Sequence, residues 1–286
     1  METDYFSGYK NIDGIDLYYE QYAHPTSKET VVLLHGFLSS LFSFRHLVPL
    51  LKEEYSVVSV DLPPFGKSGK SSSNFKYSFK SLAGAVASLM QTLKISQYTL
   101  IGHSMGGQIS LNLLYHYPGS AKKAVLLCSS GYSKRSKLPL ILLSYLPFSY
   151  LYVKYYLGRS GVEQNLRNVV YDHSMITEEM REGYLSPFLE NGIFKGLARM
   201  IRHHEGDLPA DAIRQVKEPC LLIWGEHDKV VPLHIGKRLH QDLPESRLIV
   251  LKETGHLVPE ERPQEVCRHI KGFLREHGSD TANGSC

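Results

Sequence analysis

The chain has 286 residues, of which 42% are hydrophobic and 21% charged, with a formal net charge of +3. That is enough to bury a sizeable core, as one large domain or a core with an insertion. The near-balanced charge, with no long basic block or basic–aromatic strip, excludes nucleic acid as a partner. The cysteines at 128, 220, 267 and 286 lack the spacing of a disulfide framework or a zinc site, so neither a metal nor a cofactor is expected. The first ten residues are polar and aromatic and lack the features of a signal peptide, so cytoplasmic placement is expected. The small polar tail 277–286 is expected to be flexible.

In chain order, 15–22 alternates, with Ile15, Leu17 and Tyr19 on one face, which suits an edge strand paired with an earlier one near 5–9. Residues 30–35 are a continuous β-branched and apolar run, as in a strand covered on both faces, and end in His35-Gly36-Phe37. Pro49 suits the first turn of a helix. A second buried run, 55–60, is closed by the loop 61–68. Residues 77–93 read as a helix. The run 97–101 reads as a third buried strand and leads into Gly102-His103-Ser104-Met105-Gly106-Gly107; apolar residues then recur at helical spacing over 108–117.

The strand 124–128 follows. Strand 219–224, the turn 225–228, helix 232–243, strand 247–251, a loop at 255–256 and helix 263–276 complete the pattern. Buried strands alternating with helices predict a mostly parallel, eight-stranded α/β sheet with helices on both faces. The stretch 131–210 interrupts that alternation. It is expected to be an inserted helical cap at the carboxyl edge of the sheet, where ligands bind. The core is then 1–130 and 211–276.

Residues 138–157 are nearly long enough to cross a bilayer. Pro139, Pro147, five tyrosines and the position between β/α units exclude a spanning helix. The stretch is read as a lid over an apolar pocket, with transient contact to a lipid surface as a further expectation. Phe37, Tyr132, Leu146, Phe148, Val230 and Leu257 are the expected pocket residues. The oligomeric state is left open.

Strand, G-x-S-x-G, helix is the context in which a serine becomes a nucleophile at a tight turn. Gly102 and Gly106 would remove collisions that side chains must make there. Serine needs a base, and histidine, with a pKa near neutrality, suits that role. A carboxylate must fix the imidazole tautomer. Of fourteen histidines, His256 stands just after the last strand and is the expected base. His35 and His103 lie within tight turns, and His203 and His204 read as a solvated helix face. Asp228 follows the strand 219–224 and is the expected acid, with Glu226 as the alternative. The order Ser104, Asp228, His256 belongs to one particular fold. The backbone N–H groups of Phe37 and Met105 are the expected oxyanion hole.

These pieces resemble the α/β-hydrolase superfamily over roughly 30–130 and 210–276. The resemblance is carried by HGF (35–37), DLPPFGKS (61–68), GHSMGG (102–107), GEHD (225–228) and GHLVPEERP (255–263). It is similar to cap-bearing bacterial esterases, in particular a Bacillus-type carboxylesterase-like group. The resemblance implies Ser104, Asp228 and His256 as the triad, with Phe37 and Met105 as oxyanion donors. Pro64 stands where the family loop often has glycine, which implies a stiffer turn.

A serine at the elbow excludes the alkylation chemistry of dehalogenases and epoxide hydrolases, which need a carboxylate there. The first expectation is a carboxylesterase: a serine esterase acting on a small-molecule ester with an apolar acyl or aryl group. The alternatives are carbon–carbon hydrolysis of vinylogous diketones, acyl transfer or perhydrolysis, and a receptor that keeps the triad without turnover.

Overall fold

The computed structural model describes residues 4–276, so the expected flexible tail 277–286 lies outside the described residues. Runs of β-branched and apolar residues form the middle of the sheet: β3 (Thr30–Leu34), β4 (Ser56–Val60), β5 (Thr99–His103), β6 (Lys123–Leu127) and β7 (Cys220–Gly225). Their side chains are almost wholly buried on both faces, as continuous apolar runs require. The strands β1 (Asp4–Ile12) and β2 (Ile15–Ala23) form an antiparallel hairpin at one edge, and β8 (Ser246–Leu251) closes the other. The order is β1-β2-β4-β3-β5-β6-β7-β8, parallel from β4 onward.

Helices cover both faces. On one, α1 (Val48–Leu51) packs against α11 (Pro263–Glu276). A second contiguous row is built from α2 (Phe79–Thr92), α3 (Met105–His116), α8 (Ala210–Ile213) and α9 (Leu233–Asp242). The short helix α10 (Val258–Glu261) precedes α11. Expected and observed bounds differ most at the elbow. The strand runs on to His103 and α3 starts at Met105, so Ser104 alone makes the turn. Glycines at 102, 106 and 107 carry no apolar signal, so periodicity could not extend either element to the turn.

Between β6 and β7 lies the inserted helical cap, with α4 (Leu138–Ser144), α5 (Ser149–Val169), α6 (Glu178–Leu185) and α7 (Gly192–His203). The platform is α7, whose Ile193, Phe194, Leu197 and Met200 are buried in the main core; α4 and α5 pack across it. After α7, the Glu205 carboxylate accepts hydrogen bonds from the N–H groups of Phe79 and Lys80, at 3.0 and 2.9 Å. That caps the positive end of α2 and ties the insertion to the core. The helix α5 is broken at Gly161 (φ 65°, ψ 159°), a conformation that only glycine adopts cheaply. Among the described residues no helix is long and apolar enough to cross a membrane.

Candidate active site

The elbow follows from close approach. A Cβ on Gly102 would lie 2.3 Å from the Gly106 carbonyl oxygen, and one on Gly106 would lie 2.0 Å from that of Leu34. Only glycine lets β5, its neighbour β3 and the start of α3 meet so tightly. Ser104 is forced to φ 52°, ψ −114°, a strain of about 1–3 kcal/mol for a non-glycine residue. The end of β6 and the loop after it hold it there: its N–H donates to Leu127 O at 2.9 Å, and its carbonyl accepts from Ser130 N at 3.0 Å.

Asp228 and His256 meet at the ends of β7 and β8. The His256 Nδ1–H donates to Asp228 Oδ2 at 2.7 Å. The other carboxylate oxygen accepts from the N–H groups of Val230 and Val231, each at 2.8 Å, so the acid cannot swing away. With Nδ1 committed, Nε2 is the imidazole atom left for chemistry. His256 and Ser104 share the wall of one chamber. Glu226, the alternative acid, stands 3.7 Å from His227 instead.

Two other histidines are fixed neutral. Burial lowers His35 to about 4; its Nδ1–H donates to Gly36 O at 2.7 Å and its Nε2 accepts from Leu62 N at 2.8 Å. Burial, with His256 nearby, lowers His103 to about 3, and its Nε2–H donates to the His256 carbonyl at 2.9 Å. The expected solvated face at 203–204 is not what forms. His203 Nδ1 accepts from Tyr77 N at 3.1 Å, and His204 lies edge-on to Phe79 and lines a chamber. The N–H groups of Phe37 and Met105 take no backbone partner among the described residues and so remain available.

Cys128, Asp228 and His256 bring potential metal-ligand atoms within 4.8 Å of one another. Two of those atoms are already used by the Asp228–His256 hydrogen bond, and burial pushes the Cys128 thiol well above its usual range, so it stays protonated.

Two chambers open onto Ser104. The smaller, about 340 Å³, is lined by Ser39, Asn165, Asn168, Tyr184, Phe188 and Leu257 beside the catalytic candidates. The larger, about 790 Å³, runs under the cap past Met105, Leu140, Tyr152, Leu197, Met200 and Asp207. Phe37, Ser104, Leu157 and Val230 belong to both. Of the expected pocket residues, Phe37, Val230 and Leu257 thus lie on a chamber wall. Tyr132, Leu146 and Phe148 do not. The Tyr132 hydroxyl donates to Asp242 on α9 at 2.7 Å and Arg238 covers its ring, which turns it away. Leu146 and Phe148 sit at the α4–α5 turn and face outward. The chamber residues contributed by α5 to α7 carry no motif; those before 158 fall in the stretch read as a lid, but none was singled out individually.

The cap also grips the loop that carries His256. The N–H groups of His256 and Leu257 both donate to Val169 O at the end of α5, at 2.7 and 3.2 Å. The Glu261 carboxylate accepts from Tyr171 N at 2.8 Å and Gly255 N at 2.9 Å, bridging cap and loop. Beside it, Glu260 pairs with Arg45 and accepts from the Tyr184 hydroxyl at 3.2 Å, while Arg45 reaches Glu179 of α6 at 3.4 Å. Burial pushes the Glu260 carboxyl up to about 7, against the lowering by Arg45 and Tyr184. Glu260 and Glu261 stand within GHLVPEERP, but no sequence signal pointed to their partners Arg45, Tyr171 and Tyr184.

A family model described as alpha/beta hydrolase fold matches residues 29–263. The chain is 50% identical over 264 residues to the uncharacterized hydrolase YugF of Bacillus subtilis (strain 168), covering 92% of this chain and 96% of that protein. It is 27% identical over 285 residues to a 2-hydroxy-6-oxononadienedioate/2-hydroxy-6-oxononatrienedioate hydrolase of Burkholderia vietnamiensis (strain G4 / LMG 22486), covering 94% and 96%. Among solved structures, the meta-cleavage product hydrolase CumD from Pseudomonas fluorescens IP01 superposes with a TM-score of 0.77 at 21% identity, covering 94% and 97%. These matches overturn the ester expectation. The substrates in the relative's name are vinylogous keto acids that carry no ester. The carboxylesterase and serine-esterase reading falls with it, as does the small-molecule ester as partner. Both rested on the chemistry an acylated serine shares with esterases, which the triad alone does not tell apart from carbon–carbon cleavage.

Proposed function

The chain belongs to the α/β-hydrolase-fold family, and from that premise we propose that it hydrolyses a carbon–carbon bond of a vinylogous diketone, with Ser104 as nucleophile, His256 as base and Asp228 as the base's partner. One observation carries the reading: Ser104 lies where two chambers meet, so a substrate can extend a limb on each side of the bond that breaks. The curated relative named for a dienedioate substrate supports the same chemistry. The division into a core and a cap spanning about 131–210 is part of this reading, the cap roofing the larger chamber. The proposed compartment is the cytoplasm, supported by the buried free thiols of Cys128, Cys220 and Cys267, which suit a reducing environment.

In this scheme the substrate enters as the dienol tautomer of the diketone, whose oxygen-bound proton is first exchanged for one on carbon, giving the ketone. Ser104 Oγ adds to the carbonyl as His256 Nε2 takes its proton. The N–H groups of Phe37 and Met105 stabilise the oxyanion. Collapse of that adduct breaks the carbon–carbon bond. The electron pair leaves as a dienolate, which takes the proton held by His256. Neutral His256 then takes a proton from water, the hydroxide adds to the acyl carbonyl, and collapse expels Ser104 Oγ, which takes that proton back from His256. One water is consumed and one carboxylic acid and one dienol result.

The test is release of the carboxylic acid, followed alongside loss of the dienol chromophore, with purified protein across a panel of aryl and alkyl limbs. Turnover is expected for at least the apolar limbs, and Ser104 should be labelled by a fluorophosphonate probe. Labelling without release of the carboxylic acid would overturn the reaction while sparing the nucleophile.

A further inference from the structure

The outer face of the cap is apolar where a surface helix is usually polar. In α4 only Ile141 and Ser144 are buried; Leu142 is 59% exposed and Tyr145 just after it 62%. At the turn into α5, Leu146 is 56% and Phe148 69% exposed, and Leu138 and Leu151 extend the patch at either end. Contiguous apolar surface of this kind marks a place of contact.

Charge narrows the partner. No acidic residue occurs between Asp61 and Glu163. Lys134, Arg135 and Lys137 stand exposed at the entrance to α4, beside the patch. Acids of the cap come later in the chain and are turned to other tasks: Glu163 pairs with Arg167 and Arg181, Glu205 caps α2, and Asp207 accepts from Ser133 N at 2.9 Å. The apolar surface is also continuous with the larger chamber, since Leu140, Tyr152 and Tyr156 belong to both its wall and the exposed face.

We propose that α4 and the first half of α5 form a docking face for an anionic lipid surface, with Leu142, Leu146 and Phe148 entering the headgroup boundary and Lys134, Arg135 and Lys137 meeting the lipid phosphates. Docking sets the mouth of the larger chamber against the lipid, so an apolar substrate passes into it without crossing water. Apolar burial and cationic attraction act together in this mode. It is independent of which bond is cleaved.

The full chain is floated with phosphatidylcholine vesicles, with and without phosphatidylglycerol, at low and high salt. It is expected to float with the anionic vesicles and to be released as salt rises. Replacing Lys134, Arg135 and Lys137 by glutamine should weaken partitioning about fivefold for each, the equivalent of about 1 kcal/mol. The pair Leu142→Glu and Leu146→Glu should abolish binding while circular dichroism stays unchanged, because both side chains already stand in water. A wild-type chain that stays unbound at low salt overturns the proposal. So does a dimer in sedimentation that Leu142→Glu dissociates, since a second copy would then cover the face.

Discussion

Leu126 in β6 and Leu142 in α4 are the same residue in opposite settings. The first is wholly buried in the sheet that holds the elbow, and the second stands mostly in water on the outer cap. Around Leu126, every close approach serves to fix atoms: the glycines at 102 and 106, the neighbouring Leu127 carbonyl on Ser104 N–H, the doubly held Asp228. Around Leu142, the apolar side chains stand more than half exposed, with only edge contacts such as Arg202 over Tyr145 and Phe148 beside Tyr150, and offer surface to something outside the chain. A hydrophobic run therefore means rigidity in one region and contact in the other, and only the neighbours decide which.

The sharpest test of the rigid region is Ser104→Ala. Turnover of the diketone should fall by about 10⁴-fold or more, since the nucleophile and base act as a unit, with the unfolding midpoint unchanged. Loss of activity accompanied by loss of stability would show that the elbow depends on the hydroxyl. Next in size is the leucine comparison itself. Leu126→Ala should cost about 2–5 kcal/mol in urea unfolding, because it leaves a cavity. Leu142→Ala should stay within about 0.5 kcal/mol. Equal costs would break the distinction between the two regions.

A third test lies at the seam. Glu260, raised from 4.5 to about 7 by burial, holds more protons folded than unfolded between those two values. Its contribution to stability is full below pH 4.5, declines as pH rises through the window and is gone above about 7. The decline is of the order of 3 kcal/mol. Glu260→Gln should flatten that part of the curve; an unchanged difference between pH 5 and 7 would remove Glu260 as its source. The smallest effect is expected at Glu261, a positioning residue. Glu261→Ala should lower kcat about tenfold through misplacement of His256, with KM little changed, and Glu261→Gln should restore part of it. A change confined to KM would mean that Glu261 shapes the chamber and leaves the base alone.

Much of this was legible in the residues. The β/α alternation announced the parallel sheet, and G-x-S-x-G between a strand and a helix announced the elbow, because tight turns restrict residue type. Asp228 and His256 were found from their places after strands, where a parallel sheet presents its functional groups. The chamber walls were legible only in part, at Phe37, Val230 and Leu257 beside the motifs. Tyr152 and Asp207 reach the larger chamber through the path of the cap helices, and no local rule encodes that path. Tyr132 was misread because its partner, Asp242, is remote in sequence. Leu146 and Phe148 were misread because an apolar residue in an insertion suggests a pocket as readily as an outer face. The bond cleaved was not legible either, since ester and carbon–carbon cleavage ask the same things of a serine, a histidine and two N–H groups.

The carbonyl that Val169 offers to the His256 N–H bears on how such proteins can be recombined. A chimera that exchanges 131–210 as a block replaces a residue on which the backbone of the base rests. One that joins at Gly161 keeps Val169 and Tyr171 with the loop they hold and exchanges the outer patch together with the chamber residues Leu140, Tyr152 and Leu157. The seam for grafting, in the laboratory or in descent, lies within α5 at its glycine break and not at the edge of the sheet.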